Sequence, residues 1–387
     1  MADRPARRSG TGPFLIIHSS DEWYGADRMV AELAQVAAGT VAGGVEVWLP
    51  AGGPARSPSL SSVLAEQGIA VRSLALPVLR RKSLTPRGFV ELAGQTWRLR
   101  RLLATVQPDA VVAATTAVVP ALWALPRASR ALLYVQEIWR SGEGVVLGLL
   151  AAPADMLLAI SDPVAAALPQ RLRRRTTVVG NAIADSGAPL VPSPQEGPLT
   201  FVVASRWNSW KGHEFLLRAW DAAGCPGRLI VLGGPPQAGI AVDVEALVAG
   251  LSQPDSVQIV GEVDDIGRWL DAADVLVLPS TDPEPFGLVV IEAFSRARAV
   301  VATDHGAPAT VVAPDVGWLV PATDVPGFAE TLRGITRAEA QRRGRAARSL
   351  YEQQYSIAAW RSAVSDVLLR LLGDRRPARP RRMAGRR

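Results

Sequence analysis

ADVLVLPSTDPEPFGLVVIEAF, residues Ala273 to Phe294, is the stretch that decides the fold. Val275–Leu278 has the length and β-branched, apolar character of a buried strand. Gly287–Arg296 reads as a helix. A buried strand that runs through a short loop into a helix is the building step of a parallel sheet covered on both faces. The loop carries Glu284, Gly287 lies near the helix start, and Glu292 lies inside the helix. The first amides of such a helix lack internal partners and carry the positive end of the dipole, so the turn is a candidate anion site. Gly287 lets a ligand approach the backbone closely.

The same step repeats outward in both directions. In the first half, apolar runs at Phe14–His18, Val45–Leu49, Val71–Ala75, Ala110–Ala114, Ala131–Val135 and Met156–Ile160 alternate with helical patterns such as Asp27–Ala38 and Pro86–Val106. ADSGAPLVPSPQEGP, Ala184–Pro198, then has the composition of a linker. Runs resume at Phe201–Ala204, Leu229–Leu232, Val257–Val260, Val275–Leu278 and Val300–Thr303. The expected fold is α/β: two Rossmann-like doubly wound parallel-sheet domains facing across a cleft. The domain at 1–184 is followed by a linker at 185–198, a second domain at 199–354, a helix at 355–372 and a basic, disordered tail at 373–387. A chain of 387 residues fits two cores better than one.

Composition excludes several classes. One cysteine, Cys225, rules out a disulfide framework, and three dispersed histidines match no zinc spacing. The apolar run Phe14–Ile17 is too short for a signal peptide, and Pro153 and Asp155 interrupt the longest apolar stretch, so the chain reads as soluble and cytoplasmic. The net charge is +6, and the basic residues are almost all arginine; Lys82 and Lys211 are the two lysines.

Two carboxylates on either side of an anion-binding turn suit a sugar nucleotide: each can grip hydroxyl groups flanking the diphosphate. From spacing alone, a surface loop plus a helix glutamate is an equal reading. The pattern Glu284–Pro285–Phe286–Gly287 with Glu292 resembles the E-x7-E signature of retaining glycosyltransferases of the GT-B fold, family 4 in particular. The resemblance implies that Glu284 contacts the transferred sugar as the catalytic residue. It implies that Glu292 holds the ribose diol and that the backbone of Pro285, Phe286, Gly287, Leu288 and Val289 binds sugar and phosphate. VASRWNSWKG, Val203–Gly212, resembles the family's diphosphate element, which places Arg206 and Lys211 on the donor phosphates. VGEVDD, Val260–Asp265, resembles the base-contacting element and brings in Val263. YGAD, Tyr24–Asp27, resembles the acceptor and phosphate loop, with Gly25 and Ala26 at its tip; VGNAI, Val179–Ile183, resembles the end of the first domain.

Other positions depart from the family. YVQEIW, Tyr134–Trp139, puts Gln136 or Glu137 where many members have a histidine near the sugar, and glutamine cannot shuttle a proton. DHGAPAT, Asp304–Thr310, has Thr310 in place of a glutamate. His18 and His305 lie at strand ends and are candidate sugar contacts alongside Gln136, with a structural role an equal reading for His18 and the favoured one for His305, while His213 reads as structural. Trp207 or Trp210 is a candidate to line the site, with loop packing the favoured alternative. No metal motif is found; Asp264 and Asp265 read as helix caps.

The basic clusters Arg80–Arg81–Lys82, Arg98–Arg100–Arg101 and Arg171–Arg173–Arg174–Arg175 all lie in the first half, and Leu79–Leu84 and Trp97–Leu103 mix them with apolar residues. That mixture points to an anionic membrane surface as a partner, against equally weighted solvated arginine faces; no nucleic-acid motif is found. The expectation is a hexosyltransferase that takes a nucleoside diphosphate sugar as co-substrate, with no other cofactor and no metal. Its acceptor is a glycan or lipid-linked hydroxyl, met at the inner face of the plasma membrane. A sugar-nucleotide 2-epimerase and a non-catalytic nucleotide-sugar-binding protein are the alternatives.

Overall fold

The structure is a computed structural model and describes residues 12–52, 58–80, 83, 85–140, 142–185, 190–191, 196–236 and 240–373. Arg81, Lys82, Leu84, the expected basic tail and much of the expected linker lie outside these residues. The chain divides into two α/β units. One comprises residues 1–159, 167–179 and 361–387; the other comprises 160–166 and 180–360.

The first unit is built on seven strands: β1 (Phe14–Ile17), β2 (Val45–Pro50), β3 (Ala70–Leu74), β4 (Ala110–Ala113), β5 (Arg130–Val135), β6 (Met156–Ala159) and β7 (Thr176–Val178). They form one parallel sheet in the order β3-β2-β1-β4-β5-β6-β7. The central strands β1 and β4 are wholly buried, as FLII and AVVA require when helices cover both faces. The helix Gly25–Thr40 buries Met29, Val30, Leu33, Ala34 and Ala37 at helical spacing. Asp27 starts it by accepting the Tyr24 amide at 2.9 Å.

The second unit holds β8 (Thr200–Ala204), β9 (Arg228–Leu232), β10 (Val257–Gly261), β11 (Val275–Leu278), β12 (Ala299–Thr303) and β13 (Gly317–Val320). Their order, β10-β9-β8-β11-β12-β13, is again parallel throughout. In each sheet the order reverses between its first and fourth strands, β1 and β4 or β8 and β11. Such a reversal opens a crevice at the carboxyl ends of the strands. The core on one face of the second sheet joins Phe201, Val203, Val231, Val275, Val277 and Val301 to Trp220, Phe215 and Phe328.

The boundaries differ from those expected. Against an expected 1–184, the first unit takes 1–159 and 167–179, and the short segment 160–166 belongs to the second unit. Described parts of the expected linker are tied down within the second unit. Arg298 donates to the Val191 carbonyl at 2.7 Å, Arg337 donates to those of Gly197 and Pro198, and Asp185 pairs with Arg348. The chain leaves this unit beside where it enters: Ile183 bridges Ser356, and the Ile357 amide donates to the Ile183 carbonyl. The helix Ile357–Gly373 follows; from Arg361 on it belongs to the first unit, where Arg361 pairs with Glu32 at 2.8 Å.

Trp220 is fully buried, stands edge-on to Phe201 at 5.3 Å, and donates its indole N–H to Ser256 at 2.9 Å. Trp220→Ala is expected to cost about 3–5 kcal/mol, the range for emptying a buried aromatic site. Urea unfolding followed by circular dichroism reads it; a cost under ~1 kcal/mol would show that this ring is not part of the packed core.

Candidate functional site

The reversal point of the second sheet brings two sequence elements together. β8 ends at Ala204 and continues through Ser205–Lys211; β11 ends at Leu278 and continues into Pro279–Gly287. Lys211 reaches across and donates from Nζ to Glu284 Oε2 at 2.6 Å. Ser280 Oγ donates to the same oxygen at 2.9 Å, and Thr303 Oγ1 at the end of β12 holds the Ser280 carbonyl at 2.6 Å. Glu284 is 5% exposed, so its charge is satisfied by protein donors rather than by bulk water.

Backbone geometry fixes both partners. Gly212 adopts φ +75, and a Cβ there would sit 1.8 Å from the Pro279 carbonyl oxygen, so only glycine lets the two loops touch. The Thr281 amide donates to the Trp210 carbonyl at 2.9 Å, a further link between them. On the other side, the Glu284 amide donates to the His305 carbonyl at 3.0 Å and the Ala307 amide to the Glu284 carbonyl at 2.8 Å. Gly306, at φ +89, makes room: a Cβ there would meet Glu284 backbone atoms at 2.3 and 2.5 Å.

The remaining donor candidates lie in the same unit. Gly287 caps the helix Leu288–Ser295 in the left-handed region, φ +82, with Leu288 and Val289 as its first, half-buried residues. Glu292 is half-buried one turn further on, and Arg206 is exposed beyond the end of β8. Phe286 is buried edge-on to Tyr355 at 6.1 Å, and the Pro285 carbonyl accepts from Ser161 Oγ at 2.7 Å. Val263 lies half-buried after β10, and Asp265 accepts the Gly267 amide at 2.7 Å, a capping contact. Trp207 is buried in the core, whereas the Trp210 ring lies 4.1 Å from Lys211 Nζ, a cation–π contact. His305 donates from Nδ1 to the Thr281 carbonyl at 3.0 Å, so it braces the Glu284 loop. No sequence pattern marks Ser280 or Thr303 as functional. Hydroxyl residues at strand ends are common, and only their position beside Glu284 marks these two.

In the first unit, the candidates lie near the carboxyl ends of β1 and β5 and are hydrogen-bonded to protein neighbours. His18 is 1% exposed and its Nε2 lies 2.8 Å from Asp27 Oδ1, which also accepts from Ser20 Oγ at 2.7 Å. Burial alone would raise the Asp27 pKa, but the His18 contact, Ser20 and the Tyr24 amide outweigh it and lower the value. His18 is thus engaged as a brace for the helix start, where Gly25 and Ala26 are half-buried. Gln136 is 7% exposed and gives its amide to the Ala114 carbonyl at 2.8 Å. Glu137 accepts from Thr116 Oγ1 at 2.7 Å.

The glycosyl transferases group 1 family model matches residues 198–337, the stretch that carries β8 to β13 and the Lys211–Glu284 pair. The match covers about a third of the chain and lies wholly within the second unit. The whole chain has the GT-B fold: it superposes with a TM-score of 0.75 on the structure of Anabaena HepE in complex with UDP-glucose, covering 92% of this chain and 99% of that one at 18% identity. The sucrose-phosphate synthase of Thermosynechococcus elongatus gives 0.74, covering 94% and 99% at 20% identity. Among curated proteins, the chain is 36% identical over 121 residues to a phosphatidyl-myo-inositol mannosyltransferase of Mycolicibacterium smegmatis, 28% of this chain and 31% of that one. It is 30% identical over 254 residues to an exopolysaccharide phosphotransferase of Streptomyces coelicolor, 62% of this chain and 26% of that protein. The chain therefore spans less than a third of the length of these two relatives.

Near Lys211 in the second unit, His213 is 1% exposed, and burial with the Lys211 charge lowers its pKa to about 4. An unfolded histidine titrates near 6.5, so between pH 6.5 and about 4 the unfolded chain binds the extra proton. Stability is thus complete above pH 6.5 and falls, by up to ~3 kcal/mol, as pH drops toward 4. His213→Asn is expected to flatten this part of the curve in urea titrations at stepped pH. A decline of the same steepness in that variant would assign the acid sensitivity elsewhere.

Proposed function

We propose that the chain is a retaining hexosyltransferase of glycosyltransferase family 4 that moves a hexose from a nucleoside diphosphate sugar to an acceptor hydroxyl. The observation that carries this reading is the convergence of Lys211 and Glu284 to 2.6 Å at the reversal point of the second sheet. That is where a doubly wound sheet binds nucleotides. A departing nucleoside diphosphate gains negative charge, and fixed cations and helix amides stabilise it best in a water-poor site. Lys211 and Arg206 supply the cations, and the amides of Gly287, Leu288 and Val289 supply the helix end. Glu292 is assigned to the ribose diol, Val263 to the base and Glu284 to the sugar. The relatives named above include a mannosyltransferase, and HepE was solved with UDP-glucose, which supports a sugar nucleotide as donor.

In the retaining reaction proposed, the bond between anomeric carbon and phosphate oxygen breaks on the face where the acceptor attacks. The departing phosphate takes the acceptor's proton. Charge neutralisation by Lys211, Arg206 and the helix amides leaves no task for a metal, so transfer is expected to survive EDTA. The acceptor proposed is a lipid-linked glycan or cell-surface polysaccharide precursor, which brings the enzyme to the inner face of the plasma membrane.

Glu284→Ala is expected to lower transfer of labelled sugar from UDP-glucose or another sugar nucleotide by about 10²–10³, the cost of losing one well-placed transition-state contact, while circular dichroism stays unchanged. Lys211→Arg is expected to lower transfer markedly despite the kept charge, because a planar guanidinium does not fit a site shaped for an ammonium. Full activity in either variant would overturn the assignment of this pair.

A further inference from the structure

The helix Pro86–Val106 buries one face in the first unit through Gly88, Leu99 and Leu103. Its opposite face is apolar too: Phe89 is 65% exposed, Val90 69% and Trp97 53%. Ala93 falls between them at helical spacing. A surface helix ordinarily turns polar residues outward. Here the outward stripe is flanked by Arg87, Arg98, Arg100 and Arg101, with Glu91 as the helix's one acid. The Arg101 guanidinium lies 3.8 Å from the Trp97 ring centroid, so aromatic and cation form one amphipathic unit.

A second helix repeats the pattern. In Gly144–Leu150, Val145, Val146 and Leu149 are all more than half exposed. Both helices pack against the segment Thr116–Ala124, whose Trp123 is exposed and donates its indole N–H to the Leu150 carbonyl. Beside the second helix runs a groove of about 490 Å³, with Val145, Leu149 and Pro169 in its lining and Arg140, Arg171 and Arg173 around them. Gly148 lets the groove walls close: a Cβ there would meet the Pro169 ring at 3.0 Å and the Arg171 guanidinium at 3.3 Å.

We propose that this face of the first unit docks on an anionic lipid bilayer. Phe89, Val90 and Trp97 enter the headgroup region together with Val145, Val146 and Leu149, and the flanking arginines meet lipid phosphates. Charge complementarity selects this occupant. A symmetric contact between two copies would lay one arginine stripe on another. Nucleic acid would use the arginines but leave the aliphatic tips in water. The proposal rests on the lipid-linked acceptor reading for its purpose, though its measurement needs no catalysis.

Flotation of the full chain with phosphatidylcholine vesicles, with and without phosphatidylglycerol, tests it. Binding is expected only with phosphatidylglycerol, to be strong at low salt and weak at high salt. Arg100→Ser/Arg101→Ser is expected to weaken it about thirtyfold, roughly a factor of five per arginine. Phe89→Ser/Trp97→Ser is expected to abolish it with unchanged circular dichroism; Val145→Ser/Val146→Ser serves if that pair misfolds. No flotation at low salt, equal binding to neutral vesicles, or undiminished binding by the variants would each overturn the proposal. A thermal-shift titration with UDP-glucose on the same preparation separates the two readings. A donor shift without flotation removes only the docking face, and flotation without transfer or shift removes the transferase reading and leaves the face standing.

Discussion

The contact on which the candidate site depends is a hydrogen bond between an ammonium and a nearly buried carboxylate, Lys211 Nζ to Glu284 Oε2 at 2.6 Å. Each charge offsets the water the other has lost, the part-buried Lys211 less so than the nearly buried Glu284. The pair therefore dictates its surroundings. Gly212 and Gly306 exist as glycines because side chains there would strike Pro279 and Glu284 backbone. Ser280 and Thr303 form a relay of hydroxyls that fixes the second donor on Oε2. His305 and Trp210 spend backbone and ring on the same two loops. The sheet order sets the stage: because β8 and β11 are neighbours, loops far apart in sequence leave the sheet side by side.

The fold was legible where burial on both faces forces continuous apolar runs. Each such run expected from the sequence overlaps a strand, and Pro86–Val106 spans the residues expected of it. What escaped lies at the edges. β7 reads Thr-Thr-Val and is partly exposed, and β13 reads Gly-Trp-Leu-Val with an exposed Leu319. The other two edge strands, β3 and β10, are partly exposed as well but kept enough apolar residues to be read. The reach of 160–166 into the second unit was illegible for another reason: it is set by tertiary contacts of Ser161 with Pro285, not by local pattern.

The candidate site shows the same division. Spacing alone left Glu284 evenly balanced with a plain surface loop; the family resemblance picked out Lys211 and Glu284, each through its own motif. Their mutual contact spans 73 positions and follows only from the strand order. For His18 a structural role was as open as a ligand-facing one, and the structure gives one polar atom of each candidate a protein partner: His18 Nε2 meets Asp27, and the Gln136 amide meets the Ala114 carbonyl. A buried polar side chain must find a partner before it can serve a ligand, and near a strand end the backbone is usually the nearest one.

The lysine itself follows from this geometry. The chain writes its other described cations as arginine, so the ammonium at 211 is a choice that composition opposes. A guanidinium presents a rigid planar fork that would grip both oxygens of Glu284 and compete with Ser280 for one of them. An ammonium is a compact point charge with three rotatable donors. It can hold one carboxylate oxygen, lie against the Trp210 ring and still turn a donor toward a phosphate. Under the function proposed, positive charge is offered to a diphosphate while the carboxylate stays in place, and the second geometry serves that where the first does not.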